Sequence, residues 1–167
     1  MNIKLLDCTL RDGGYYNNWD FDADLVKAYL SCMQSIGIDF VEIGFRSIIK
    51  DGFKGAYAYS TDSFLDSLDI PSDLNIGIMI NASELFIGNQ PPEKNIEKLI
   101  NQTSKIKLIR IAAHLKEFKK VLPVTQTLKN MGYMVGINLM QISEATEEDI
   151  IQYAEEANKW PLDVLYF

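Results

Sequence analysis

Arg11 and Asp12 stand side by side between an apolar run (Ile3, Leu5, Leu6) and two glycines, Gly13 and Gly14. A guanidinium beside a carboxylate can hold an anionic substrate and a hard metal ion next to each other. The apolar run reads as a buried strand, and the glycines free the backbone to turn sharply and approach a ligand. Neighbouring residues on a strand face opposite ways, so Arg11 and Asp12 can serve one site only where that strand ends. The alternative is a surface salt bridge closing a βα turn. Polar groups also fall at later strand ends: Glu42 with Arg46, Asn81, Arg110 with His114, and Asn138.

The elements that must position these residues alternate regularly. After the first strand, Tyr15 to Trp19 read as a polar-aromatic loop at the mouth of the site. Phe21 to Ile36 form a helix capped by Asp22, with Leu25, Ala28, Tyr29, Cys32, Met33 and Ile36 at helical spacing and Gly37 ending it. Phe40 to Arg46 is a second strand, in which Val41, Ile43 and Phe45 share one face and Glu42, Gly44 and Arg46 the other. A connection from Ile48 to Tyr59 leads to a short helix, Ser60 to Leu68, and Leu74 to Ile80 is a third strand. Asn81 to Pro92 reads as a loop, with Pro91 and Pro92 opening a helix through Asn101. Lys107 to Ala113 is the fourth strand, followed by a helix from Lys116 to Met131 that Pro123 should kink or break. Tyr133 to Met140 is the fifth strand. Ser143, with Glu147 and Glu148 downstream, starts a helix to Lys159, and Leu162 to Phe167 is the sixth strand.

Strand and helix thus alternate five times before a final strand, which implies a parallel sheet with right-handed crossovers. A doubly wound sheet usually carries a Gly-rich phosphate turn, for which Gly13-Gly14 is the only support. Polar residues at the ends of successive strands are instead what a (β/α)8 TIM barrel predicts for an active site at its C-terminal face. The expected fold is therefore α/β, an incomplete barrel of about six strands and five helices in a single domain over residues 1–167. Such a barrel typically needs about 250 residues, and the chain has 167. The expectation is a C-terminally incomplete barrel whose inward apolar residues (Ile3, Leu5, Leu108, Leu165) reach water. A section left open in this way should self-associate, most commonly as a symmetric pair.

Composition narrows the function classes. A net charge of -7 without a basic run argues against nucleic acid. Cys8 and Cys32 are isolated, which fits a reducing cytoplasm rather than a disulfide framework or structural zinc. No apolar run approaches the roughly 18 residues of a membrane span, and charged residues stand where a signal peptide would be apolar.

The stretch Asp7-Cys8-Thr9-Leu10-Arg11-Asp12-Gly13 resembles the signature of the DRE-TIM metallolyases, the pyruvate carboxyltransferase-like superfamily. That superfamily includes 3-hydroxy-3-methylglutaryl-CoA lyase, isopropylmalate and homocitrate synthases, and 4-hydroxy-2-oxovalerate aldolase. Glu42 in Val-Glu-Ile-Gly matches its second strand. Ile109 to His114 and Gly136 to Gln141 resemble the fourth and fifth strands of the hydroxy-oxovalerate aldolases, the branch with the closest likeness. The resemblance implies a lyase that cleaves or forms a carbon–carbon bond beside a 2-oxo acid. In it Arg11 stabilises the enolate oxygen, Asp12 is a ligand of a divalent metal (Mn2+ or Mg2+), and Glu42 orients Arg11 or a bound water. It implies a 2-oxo or hydroxy-oxo acid as the small-molecule partner, a homo-oligomer, and an aldehyde dehydrogenase as a possible protein partner.

Two positions depart from the family pattern. Its His-x-His metal motif has no counterpart in a chain whose one histidine is His114. Where the aldolases carry a catalytic His, this chain has Tyr15, a phenol with an ordinary pKa near ~10. Tyr15 or Tyr16 is accordingly the candidate acid, with substrate contact as the alternative. Arg110, His114 and Asn138 are candidate substrate-binding residues. For Glu42 and Arg110 a buried ion pair fits equally well, and for His114 a cap on the following helix does. Asp7 reads mainly as structural. A second class of function is a non-catalytic binding or assembly domain that has lost the metal.

Overall fold

Strands of nearly continuous Val, Ile and Leu, alternating with helices that carry one apolar stripe, produce the expected α/β arrangement. The computed structural model describes residues 3–100 and 104–167. Its strands are β1 (Leu6–Asp7), β2 (Phe40–Phe45), β3 (Asn75–Asn81), β4 (Ile106–His114), β5 (Met134–Met140) and β6 (Val164–Tyr166). They form one sheet in the order β1-β2-β3-β4-β5-β6, and β1 with β2, β2 with β3 and β5 with β6 pair in parallel. A doubly wound sheet reverses its strand order partway; this sheet does not, which is consistent with an incomplete TIM-barrel-like fold.

The helices are α1 (Thr9–Asn17), α2 (Ala23–Ser35), α3 (Asp62–Ser67), α4 (Ala82–Leu85), α5 (Pro92–Leu99), α6 (Phe118–Asn130) and α7 (Glu147–Ala157). Two of them correct the sequence reading. The Arg11-Asp12-Gly13-Gly14 turn and most of the aromatic loop after it are helix α1, and the loop after β3 opens with α4. The expected end of α5 at Asn101 lies outside the described residues. Among the described residues no helix is long and apolar enough to cross a membrane.

The chain divides into two compact units, residues 3–79 with 104–108 and residues 80–100 with 109–167. In the first, Asp22 caps α2 as expected by accepting from the Leu25 N–H at 3.0 Å. The face that α2 buries is Val26 and Leu30, whereas Leu25 and Ile36 are exposed. Ile3 and Leu5 are exposed as expected, but Leu108 is buried.

In the second unit α6 runs through Pro123 without a break. Proline inside a helix costs about 3 kcal/mol. Phe118, Val121, Leu122, Val124 and Leu128 are all buried on the same helix. Each such side chain gains roughly 1.5–3 kcal/mol on burial, so packing outweighs the missing hydrogen bond. Helix α7 starts at Thr146 rather than Ser143. The Thr146 hydroxyl and the Asp149 carboxylate bond each other's backbone N–H in a capping box, and Ser143 belongs to a short 3-10 turn before it.

Candidate active site

Helix α1 carries Arg11, Asp12 and Tyr15, although its nine residues include two glycines and no strong apolar stripe. Such a segment has little intrinsic reason to be helical, and tertiary contacts hold it. At its start Asp7 accepts from the Thr9 backbone N–H at 2.9 Å and from the Thr9 hydroxyl at 3.1 Å. The Tyr29 hydroxyl also donates to Asp7. Asp7 is thereby the structural residue of the motif. Burial, with the Asp7 carboxylate beside it, pushes the Tyr29 phenol well above its ordinary pKa.

At the other end, Asn18 and Trp19 both adopt left-handed backbone conformations, with φ of 58° and 57°. The chain turns back so that the Trp19 indole lies on Gly14. A Cβ at position 14 would sit 2.0 Å from an indole carbon. The glycine is therefore needed for close approach and not for a turn, since Gly14 itself is helical.

Strand β2 supplies the partner for Arg11. All six of its residues are buried, as befits a parallel strand covered on both faces. Its register with β3 pairs Glu42 with Gly77 but Gly44 with Ile78, so Ile43 is an extra residue, a β-bulge. Laterally paired residues share a face, so the bulge places Phe45, opposite Met79, on the same face as Glu42. It sends Gly44 and Arg46 to the other. This corrects the alternation that put Glu42 and Arg46 together. Arg46 instead donates to the Ser60 carbonyl and, at 2.9 Å, to Asp62.

Glu42 is fully buried and accepts from Arg11 Nε at 2.7 Å, while Arg11 Nη1 meets the Asp12 carboxylate. The Arg11 guanidinium carbon stands 5.9 Å from the centre of the Phe45 ring. Burial works against the charged guanidinium, but the Glu42 hydrogen bond and the charges of Glu42 and Asp12 more than offset it. The pKa of Arg11 accordingly lies above its ordinary value. A guanidinium has five N–H donors. Glu42 and Asp12 engage Nε and Nη1, and Nη2 has no partner among the described residues.

Tyr15 lies one turn beyond Arg11, on the same side of α1. Its ring packs edge-on against Trp19 and Phe45, with centroids at 4.8 and 6.1 Å, and the residue is 64% exposed. Asp12 is also open to water, its side chain 59% exposed. Its carboxylate is a suitable hard donor, but among the described residues no group of three His, Cys, Asp or Glu stands together. The described residues do not by themselves complete a coordination set for Mn2+ or Mg2+.

Arg110, His114 and Asn138 belong to the second unit. Arg110 is buried, with its guanidinium carbon 4.7 Å from the centre of the Tyr166 ring, a cation–π pair. Asn138 is half-buried and pairs in register with Tyr166. His114 ends β4, and its backbone N–H donates to the Glu117 carboxylate at 3.0 Å. Glu117, the N-cap residue of α6, thus holds the main chain of His114 and makes no side-chain cap bond to the helix. Phe45 and Tyr166 are residues that sequence reasoning did not assign to the site, and it placed Trp19 only within the aromatic loop at the mouth. Two surface clefts, of about 330 and 290 Å3, lie elsewhere. One is lined by Trp160, Leu162 and Phe167 and the other by Ile70, Lys105 and Lys107, with no candidate residue in either. The charge cluster marks the site.

Sequential strand order and a buried carboxylate gripping an arginine next to an exposed aspartate fit the aldolase/lyase-like class of enzymes, and comparison with known proteins supports that class. The chain is 26% identical over 152 residues to oxaloacetate decarboxylase of Mycobacterium tuberculosis, a match covering 90% of this chain and 42% of that protein. It is also similar to the crystal structure of the N-terminal domain of a "putative aldolase" from Bacteroides vulgatus, with a TM-score of 0.75 and 27% identity over 97% of this chain and 62% of that one. The chain spans less than two thirds of either relative. No family model matches it.

Proposed function

We propose that this chain forms the enolate-stabilising part of an aldolase/lyase acting on a 2-oxo acid. The observation that carries the reading is Arg11: one edge of its guanidinium is fixed by Glu42 and Asp12, and Nη2 is left to donate. When the C3–C4 bond, one carbon removed from the 2-oxo carbonyl, breaks, its electron pair becomes a C2–C3 double bond and the carbonyl π pair moves onto oxygen, leaving an enolate. In retro-aldol cleavage the leaving carbon becomes an aldehyde after its hydroxyl gives up a proton; in decarboxylation it leaves as carbon dioxide. Protonation of the enolate carbon then yields the 2-oxo acid. A donor already in place where the charge develops stabilises it without reorganisation. Buried Glu42 keeps Arg11 from turning as that charge appears. Tyr15, on the same side of α1, is the proposed proton carrier. Arg110, His114 and Asn138 are proposed as substrate-binding residues. A divalent ion, where bound, adds Lewis-acid stabilisation of the same charge; no step above depends on it.

The test is pyruvate release from oxaloacetate and from a 4-hydroxy-2-oxo acid by the full-length protein with Mn2+, corrected for the reaction without protein. Turnover is expected, and Arg11→Lys should lower kcat by about 10²–10³. Equal rates in the wild type and Arg11→Lys would refute the assignment, and failure to turn over either substrate would refute the substrate class.

A further inference from the structure

We propose that Trp19 is a positioning residue that braces Arg11 from both ends, an inference that rests on the role just given to Arg11. The Trp19 indole N–H donates to the Arg11 backbone carbonyl at 3.0 Å. A carbonyl has two lone pairs, so this bond can add to the helical one. The same indole meets the Phe45 ring edge-on at 5.6 Å, and Phe45 lies against the Arg11 guanidinium. One side chain therefore fixes the main chain of Arg11 directly and its head group through a shared phenyl ring.

Trp19 is itself tightly held. Its backbone N–H donates to the Gly14 carbonyl at 3.0 Å and to the Asn17 side chain at 3.1 Å. The loop after β2 closes behind it: the Gly55 N–H donates to the Asn18 carbonyl at 2.7 Å, and the Lys54 ammonium lies 6.0 Å from the indole ring centre. The indole is 8% exposed. Glu42 fixes the Nε edge of Arg11 but leaves the turn of α1 that carries it free to rock, and Trp19 stops that motion. A displacement of about 1 Å at a charge-stabilising donor can cost up to 10²-fold in rate.

Trp19→Phe keeps a ring against Phe45 and removes the donor to Arg11. In the full-length protein it should lower kcat about tenfold with KM within about twofold, the pattern of a contact that matters in the transition state. Unchanged kcat in a folded Trp19→Phe protein would overturn the proposal and leave Trp19 a packing residue. Arg11→Lys, measured alongside, separates the two readings. If Arg11→Lys is inactive and Trp19→Phe is not, only the Trp19 inference fails; if Arg11→Lys is fully active, the role of Arg11 fails. Trp160→Phe gives a second measurement in case Trp19→Phe does not fold, because it leaves Trp19 as the sole tryptophan of these 167 residues. Pyruvate at saturation should shift or quench Trp19 emission in that active variant, and unchanged emission would overturn the proposal.

Discussion

The two adjacent glycines of helix α1 should respond to alanine in opposite directions. Gly13 and Gly14 share the same helix and the same helical backbone, so each alanine gains about 0.8–1 kcal/mol of helix propensity. A Cβ at position 13 would meet only two Phe21 ring carbons at 3.7 Å, an ordinary contact. Gly13→Ala should therefore stabilise the protein by about 0.5–1 kcal/mol, a rise of roughly 1–4 °C in Tm for a chain of this size. A Cβ at position 14 would lie 2.0, 2.1 and 2.3 Å from three atoms of the Trp19 indole. The ring cannot slide aside, because Tyr15 and Phe45 flank it, so it has to leave its site. Exposing an indole forgoes about 4–6 kcal/mol of burial. Release of the left-handed backbone at Trp19 returns about 1–2 kcal/mol, and helix propensity about 1. The net loss is about 1–4 kcal/mol, or roughly 2–16 °C in Tm. Thermal melts of both variants, with near-ultraviolet circular dichroism to follow the tryptophan, give the comparison. Equal shifts of the same sign would refute the packing argument.

Three other outcomes are expected. Glu42→Gln keeps an oxygen for Arg11 Nε but removes the buried charge, and should cost about 1–3 kcal/mol in urea unfolding; an unchanged midpoint would show that the ion pair contributes nothing to stability. Burial raises the Tyr57 phenol from 10.0 to about 12. Its contribution to stability is complete below pH 10.0 and is lost as the pH rises from there through about 12. The difference between absorbance titrations of the wild type and Tyr57→Phe should show this late ionisation, and a phenol that ionises at its ordinary value would contradict it. Calorimetric titration of this chain with Mn2+ should show weak binding, because Asp12 alone offers a single carboxylate to an ion that favours six oxygens; a dissociation constant in the low micromolar range would contradict that.

The strands were legible because β2 to β5 are runs of Val, Ile and Leu buried on both faces, a pattern that survives without knowledge of the tertiary structure. Helix α1 was not. Its Thr-Leu-Arg-Asp-Gly-Gly sequence has the composition of a turn, and what makes it helical is Asp7 at one end and Trp19 at the other. The α2 stripe was misjudged by one position, since Leu25, Tyr29 and Cys32 repeat as regularly as Val26 and Leu30. Arg11, Asp12 and Glu42 could be singled out from residue type and spacing, and the structure brings them together. Phe45 could not be, and Trp19 only as a member of the mouth loop, because one depends on the bulge in β2 and the other on a backbone reversal after Asn17. One signal did exist: a lone glycine inside a strand pattern, here Gly44, often marks a bulge.

Ile43 acts on β2 as an inserted letter acts on a reading frame. Upstream of it the strand is read in one phase and shows the site an acid. Downstream it is read in the other and shows a phenyl ring, while Arg46 falls out of phase and binds Ser60 and Asp62 instead. Were the bulge smoothed into regular alternation with Ile43 kept, the Arg46 side chain would fall on the Glu42 face, two cations where there is now one and a ring. Removing Ile43 altogether would leave Glu42 and Phe45 two positions apart and still on one face, so the bulge is what lets a strand carrying that extra residue keep its ring beside Arg11. What decides which side chains reach Arg11 is thus the register that β2 keeps with β3 beyond residue 43, a property of the paired strands and not of any one side chain.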